Sequence, residues 1–512
     1  LYLQSNITQD WLEARVSATP DKLAIVDSDL EYERKTTFRE LSQDLGLLTM
    51  KLKGAGIGSN ATVGLMFSGF LYSKYMLALM RLGCTIVPIN TRLTFEEVEW
   101  QVKNAQCDFV ITTKEFRALA VYLKVKNITS PIFTGGHSTT YADSLDTIKY
   151  TDQTPSKPRN INLDEPFAII HTSGTSGKPK GAVLTYNNIY QSAMASAYRI
   201  GVLPDDRWLC VLPLFHVGGL SIILRSLLYG TAVEILPKFD IDAVNQALTE
   251  KPITLVSLVP TMLQRLLDTR KEPWNPKLRL VLLGGAAPSP ELVQRCVDEG
   301  IPLATTYGLS EASSQVATST PEMVIQKPAS VGKPLMFSQV RVIDEHGNEM
   351  PTGEVGELIV KSPTVMQGYY KNPEATAETI RDGWLYTGDM GYKDADDDLF
   401  IVQRRSDLIV TGGENVYPVE VENAIRQHPA IKEVIVVGIN DPEWGQKVSA
   451  AVQLEDEKDL LPEEIIAFAR EKLAGYKIPR QIRFVTEFPQ TGSGKIQRKQ
   501  VRKVFEHESI DG

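Results

Sequence analysis

Up to about Gly353, short runs rich in β-branched and other apolar residues alternate with longer stretches whose apolar residues recur at helical spacing. The runs Ala61 to Phe67, Thr85 to Ile89 and Phe109 to Thr112 read as strands, and Leu41 to Lys53 and Leu71 to Leu82 read as helices. The rhythm continues through strands at Ala168 to His171, Trp208 to Leu212, Ala232 to Leu236, Leu255 to Leu258 and Leu280 to Leu283. Such alternation predicts an α/β fold with largely parallel strands in one large layered domain. After Gly353, short strands at Gly356 to Lys361 and Asp398 to Val402, separated by tight Gly/Asp turns, predict a small β-rich subdomain over about 330–404. A further boundary is expected between Gln403 and Asp407. Beyond it a helix (Val419 to Gln427), a strand (Glu433 to Gly438) and a second helix (Pro462 to Ala474) predict a compact α+β domain over 405–512.

Composition narrows the function classes. A chain of 512 residues exceeds the reach of a single core, and 43% apolar with 23% charged residues is the balance of a globular protein. The net charge of −9 and pI near 5.4 withhold the broad positive field that nucleic acid requires, so no nucleic-acid partner is expected. Cys84, Cys107, Cys210 and Cys296 lie far apart without C-x-x-C spacing, which predicts neither a disulfide framework nor a zinc site and fits a reducing cytoplasm. No apolar run approaches the roughly 20 residues that span a bilayer, and no signal segment opens the chain, so a cytoplasmic protein without a membrane span is expected. Leu1 to Asn6, LYLQSN, reads as the remnant of a cleaved expression tag, with native sequence from near Ile7.

The strongest local chemistry lies in IIHTSGTSGKPKGAV, residues Ile169 to Val183, where an apolar strand runs into a loop of glycines, hydroxyls and lysines. Gly174, Gly177 and Gly181 let backbone approach a ligand, Thr172, Ser173, Thr175 and Ser176 offer donors, and Lys178 and Lys180 supply charge, all of which suits a polyphosphate. A solvated flexible loop is the other outcome for such a composition. Pro179 after Lys178 breaks the Walker pattern. GAGIGS, Gly54 to Ser59, lies after a helix instead of after a strand and reads as a helix stop and turn. Asp143-Ser144-Leu145 likewise reads as a turn.

The phosphate loop resembles the signature of the acyl-adenylate-forming superfamily, and eight further motifs resemble it in order: TTFREL, RLGCTIVPIN, LPLFHVGG, LGGAAP, TYGLSEAS, WLYTGD, QRRSDLIVTGGENVYP and QTGSGKIQR. The resemblance implies a large domain of mixed, largely parallel sheets and a small mobile C-terminal α+β domain. It also implies an AMP-forming acid–thiol ligase using ATP, magnesium and coenzyme A. The phosphate loop (Thr172 to Lys178, with Lys180), Gly285, Ala286, Thr306, Tyr307, Gly308, Ser310, Asp389 and Arg404 are implied to bind ATP or AMP, and Glu311 the metal. Lys495 is implied to place its charge between the attacking carboxylate and the α-phosphate. Ser406 would be the hinge, where the family usually has Asp or Lys, and Gly412 and Gly413 would line the thiol tunnel. Outside this resemblance Asp389 reads as a turn cap, Tyr307 as a core aromatic and Lys495 as part of a solvated basic tail.

For the acid, His216 and Arg225 are polar residues in apolar company. A helix over Gly218 to Tyr229 would carry Leu220, Ile223, Leu224, Leu227 and Leu228 on one face, with Gly218, Ser221 and Arg225 on another. Arg225 would then either point into a pocket or snorkel at the surface. HVGGLSIILR and YGLSEASSQVATSTPEM are most similar to the o-succinylbenzoate–CoA ligase branch of menaquinone biosynthesis, although Ala312-Ser313 replaces the Thr-Cys pair common there. That branch implies an acid pocket with His216, Arg225, Gly284 and Ser313, and a catalytic role for His216. Other aromatic or medium-chain acids, and a separate carrier protein as acceptor, stay open; the 17 residues after Lys495 hold no carrier domain, which favours free coenzyme A. Monomer and homo-oligomer are both compatible.

Overall fold

The computed structural model describes residues 6–29, 32–91, 93, 95–133, 143–145, 147, 158–172, 179–404, 409–411, 414–416, 418–441, 444–456, 458–473, 475–490 and 496–506. The chain forms two compact units, Leu1–Val340 with Val360–Tyr386, and Arg341–Ile359 with Thr387–Gly512. This division differs from the change of texture at 404 and 405. Residues Asp389 to Lys393 pair antiparallel with Leu399–Arg404, and the hairpin belongs to the second unit. Local backbone pairing, which composition does not report, sets the division there.

The first unit is organised by two large sheets. In one, the parallel strands Thr85–Pro88, Thr62–Met66, Phe109–Thr112 and Ser130–Phe133 continue through Pro166–Thr172 to the antiparallel strands Lys180–Thr185 and Gly368–Tyr369. In the other, Leu303–Leu309, Leu280–Leu283, Leu255–Leu258, Arg207–Cys210 and Ala232–Ile235 run parallel. Antiparallel strands flank them, Ser314–Thr318 on one side and Tyr32–Thr37 on the other. The mixed, largely parallel α/β architecture expected from the alternation is therefore present. Asp143–Ser144, expected as a turn, is instead a short strand parallel to Ser130–Phe133, because an open sheet edge there offers hydrogen bonds that a turn would leave to water.

Helix ends follow their caps. The helix expected from Leu41 begins at Phe38, where Thr37 and Glu40 form a capping box, the Thr37 N–H donating to Glu40 Oε2 at 2.8 Å. Apolar spacing reports the buried face and not the cap, which is why the start lies earlier than the periodicity places it. The helix stops at Gly54 and a turn follows, as GAGIGS implies. Val217–Tyr229 is the expected helix and is buried along nearly its whole length, on the side of Ser221 and Arg225 as well as on the leucine side: it packs against helices Trp11–Ala18 and Tyr186–Ile200 as well as strands of the second sheet. Arg15 holds its C-terminal end, Nε donating to Leu227 O at 3.1 Å and Nη2 to Leu228 O, which matches a cation to the negative end of the helix dipole. Among the described residues no helix is long and apolar enough to cross a membrane.

In the second unit, Ile431–Asp441, Gly445–Leu454, Ile409–Thr411, Glu414–Val416 and Gln481–Phe484 form a sheet with Pro418–Arg426 and Arg498–Glu506 packed on Ile431–Asp441. The second expected helix ends at Arg470, four residues before Ala474. Glu422, 2% exposed, accepts from the Val436 N–H at 2.7 Å and from Arg498, whose Nη1 also reaches Val436 O at 2.7 Å. Removing the carboxylate takes the charge partner from Arg498 and the acceptor from the Val436 N–H. Glu422→Ala is expected to lower the stability of this unit by about 3 kcal/mol, read as an earlier unfolding transition in urea.

Candidate active site

The second sheet delivers several site residues from one edge. Its parallel strands end together, so Gly284 to Ala286 after Leu280–Leu283, Thr306 to Ser310 at the end of Leu303–Leu309, and His216 after Arg207–Cys210 emerge at their carboxyl ends, where open α/β sheets bind ligands. Close neighbours, backbone at one position and a side chain at the other, crowd the glycines. A Cβ at Gly308 would lie 1.7 Å from Ser314 O, and one at Gly284 would lie 2.7 Å from Thr306 Cγ2. Tyr307 is buried in the strand opposite Ala317. The Thr306 hydroxyl is engaged inside the sheet, 2.9 Å from Ala317 O and 2.8 Å from Thr318 Oγ1.

Glu311 connects this sheet to the other. Its Oε1 accepts from Thr172 Oγ1 at 3.1 Å, at the end of Pro166–Thr172, and from Tyr369 OH at 3.0 Å. Lys180 Nζ lies 5.2 Å from the centre of the Tyr369 ring, within cation–π range. A half-buried carboxylate, a threonine hydroxyl and a nearby lysine form an oxygen-rich, charge-balanced set suited to magnesium and phosphate. Tyr369 is absent from the sequence expectations: it stands 58 residues from Glu311, and its only local signal is the GYY run before Asn372-Pro373. The turn after Glu311 is left-handed at two non-glycine residues, Ser313 (φ 54°) and Ser314 (φ 98°). It is fixed by Ser313 Oγ donating to Thr364 O at 2.8 Å and by Ser192 Oγ donating to Ser313 O at 2.7 Å.

Arg225 is 3% exposed, which overturns the surface alternative: helices and sheet surround its helix, leaving no edge from which to snorkel. Its Nη2 reaches Ser192 Oγ at 3.3 Å, and its Nε has no hydrogen-bond partner among the described residues. Burial pulls its pKa below the usual guanidinium value, with the neighbouring Tyr229 opposing. Arginine still stays protonated, so this is a buried cation whose hydrogen bond goes to a neutral hydroxyl. His216 is the N-cap residue of the same helix, its ring 4.7 Å from that of Phe215. The ring is reachable by solvent, yet enough protein surrounds it to push its pKa below the ordinary histidine value.

Other expected site residues fall elsewhere. Asp389 lies within the strand Trp384–Lys393 and is 4% exposed, so the turn-cap alternative is overturned, and its backbone pairs with that of Arg404. Ser173, Gly174, Thr175, Ser176, Gly177, Lys178, Ser406, Gly412, Gly413 and Lys495 lie outside the described residues.

Near the end of Pro166–Thr172, His171 Nε2 lies 3.0 Å from Asn104 Oδ1, with the ring edge-on to Trp100. The amide oxygen only accepts, so the proton sits on Nε2 and Nδ1 is left without a partner. Burial lowers the pKa from 6.5 to about 4. The unfolded chain therefore takes up the proton first. The neutral ring's contribution is complete above about pH 6.5 and is lost as pH falls toward 4, at most about 3 kcal/mol. His171→Gln, which keeps a donor for Asn104 but cannot titrate, is expected to flatten that part of the melting-temperature profile; an unchanged acid slope would assign it to other groups.

Comparison with known proteins gives a consistent picture. Residues 12–370 match the AMP-binding enzyme family and residues 420–495 the AMP-binding enzyme C-terminal domain. The 2-succinylbenzoate–CoA ligase of Bacillus cereus (strain ZK / E33L) is 38% identical over 499 residues, covering 97% of this chain and 98% of the relative. Among solved structures, o-succinylbenzoate CoA synthetase from Bacillus subtilis in complex with the acyl-adenylate intermediate OSB-AMP superposes with a TM-score of 0.88 at 31% identity, covering 97% and 98% of the two chains. The same enzyme in complex with ATP and magnesium ion gives 0.87 at 31% identity, covering 97% and 100%. An amide bond synthetase from Marinactinospora thermotolerans gives 0.86 at 28% identity, covering 97% and 99%.

Proposed function

The chain belongs to the AMP-binding enzyme family, and on that premise we propose that it is an ATP-dependent acid–CoA ligase whose acid is 2-succinylbenzoate, acting in menaquinone biosynthesis in the cytoplasm. A carboxylate oxygen attacks the α-phosphorus of ATP and the bond to pyrophosphate breaks; the thiolate of coenzyme A then attacks the acyl carbon and AMP leaves. Thr172, Lys180 and the loop between them take the phosphates. Glu311 would hold magnesium, which when bound offsets phosphate charge. Tyr307, Gly308, Gly285 and Ala286 flank the adenine, and Asp389 and Arg404 take the ribose. Lys495 supplies the cation for adenylation, and the segment from 405 onward moves it away for thiol attack through Ser406, with Gly412 and Gly413 beside the thiol.

The observation that carries the choice of a dicarboxylate is the buried, incompletely satisfied guanidinium of Arg225. A second carboxylate on the acid would answer both the charge and the empty Nε. His216 would border the activated carboxylate, and Gly284 and Ser313 would shape the pocket, Ser313 through its backbone since its hydroxyl is engaged with Thr364.

Pyrophosphate release with ATP, magnesium and coenzyme A across succinylbenzoate, benzoate and octanoate tests the reaction and the acid together. Succinylbenzoate is expected to be preferred, and silence on all three acids would refute the proposal. Arg225→Met is expected to lower kcat/KM for succinylbenzoate about 100-fold, the cost of about 3 kcal/mol for losing a buried charged contact, while leaving benzoate turnover unchanged. Its melting temperature should stay level or rise, because a buried lone charge is replaced by an apolar side chain. Equal losses on both acids would remove Arg225 from recognition of the second carboxylate.

A further inference from the structure

Tyr369 stands in contact with the carboxylate of Glu311 but belongs to none of the motifs that mark the site. Its placement is strongly determined. Tyr370 N–H donates to Gly181 O at 2.8 Å, Gln367 N–H to Val183 O at 2.9 Å and Met366 N–H to Glu311 O at 2.8 Å. Tyr369 N–H itself donates to Thr376 Oγ1 at 2.9 Å. Asn188, at the first turn of Tyr186–Ile200, holds the preceding segment through Pro363 O and Val365 O at 2.8 and 2.9 Å. Gly368, at φ 151° and with a Cβ position 2.8 Å from Thr376 Cγ2, lets the chain pass close enough for the ring to reach Glu311.

Tyr369 OH and Thr172 Oγ1 both donate to Oε1 of Glu311, at 3.0 and 3.1 Å. Two donors on one oxygen fix the rotation of the carboxylate and leave Oε2 as the atom free of these bonds. The Tyr369 ring meanwhile faces Lys180 Nζ at 5.2 Å, so one side chain touches both the carboxylate and the lysine beyond the phosphate loop.

We propose that Tyr369 is a positioning residue for the divalent cation: its hydroxyl pins Glu311 so that Oε2 meets magnesium, and its ring keeps Lys180 from closing a salt bridge onto the same carboxylate. The inference rests on the reading of Glu311 as the metal carboxylate. A rotationally fixed acidic ligand binds a hard cation without first losing rotamer freedom, and partners of this kind typically contribute about 10- to 100-fold in metal affinity. Two variants of the full chain, Tyr369→Phe and Glu311→Gln, separate the inference from the reading beneath it. The readout is the rise in melting temperature on adding magnesium in the presence of a non-hydrolysable ATP analogue, which reports cation binding without turnover.

The phenylalanine variant keeps the ring under Lys180 and loses only the hydroxyl. It is expected to need about tenfold more magnesium for the same rise, with its melting temperature in the absence of nucleotide and its KM for coenzyme A unchanged. Glu311→Gln is expected to lose the magnesium-dependent rise altogether. If Glu311→Gln behaves so while the Tyr369→Phe titration superposes on that of the unsubstituted protein, the positioning role is overturned and the metal reading stands. A normal magnesium titration in Glu311→Gln overturns both. Should Tyr369→Phe not fold, Thr172→Val removes the other donor to the same oxygen, and an unshifted titration there equally overturns the claim that donors on Oε1 set the affinity.

Discussion

One carboxylate oxygen, Glu311 Oε1, ties the two large sheets of the first unit together, taking hydrogen bonds from the end of Pro166–Thr172 and from Gly368–Tyr369. That arrangement makes heavy demands on the surrounding backbone. Glu311 must sit in a short helical turn between two paired strands, and the chain must reverse within three residues beyond it, through two left-handed serines. Gly308 has to be glycine because the reversed chain lies directly over it. The long-range bonds from Ser192, Asn188 and Ser313 then tie the reversal to a helix and to the 363–366 segment.

Buried charge is accommodated in two different ways. Glu234 is fully buried, yet Arg207 lies 3.1 Å away, Lys251 2.7 Å away, and Ser28 donates to it at 2.8 Å. Its charge is balanced within the fold by two cations, although its Oε2 takes no hydrogen bond among the described residues. Arg225 is buried almost as deeply in a helix of leucines and isoleucines with one serine oxygen at 3.3 Å. A folded chain tolerates that deficit where a bound molecule supplies the missing partner.

Much of this was legible in the sequence, for identifiable reasons. Strands such as Phe109–Thr112, Leu255–Leu258 and Leu280–Leu283 match their apolar runs residue for residue, because interior strands of a covered parallel sheet are continuously apolar. Glu311, Thr172 and Lys180 were legible as candidates through motif order, though their meeting was not. What the sequence hid is pairwise and distant: Tyr369 acquires significance only by standing against a carboxylate 58 positions away, and Ser192 only by lying between Arg225 and Ser313. The alternatives for Arg225 and Asp389 were equally closed to periodicity, since burial depends on what packs from elsewhere in the chain.

The left-handed pair Ser313 and Ser314 also bears on how this molecule withstands change. Each L-residue held there costs about 1–3 kcal/mol against an ordinary conformation, and glycine would bear that geometry without penalty. The protein is thus locally less robust than its own backbone would permit, and it keeps two hydroxyl-bearing residues at a turn where glycine would sit without steric strain. The strain of this pair therefore lies directly beside Glu311, where the hydrogen bonds from Ser192 and to Thr364 keep it in place.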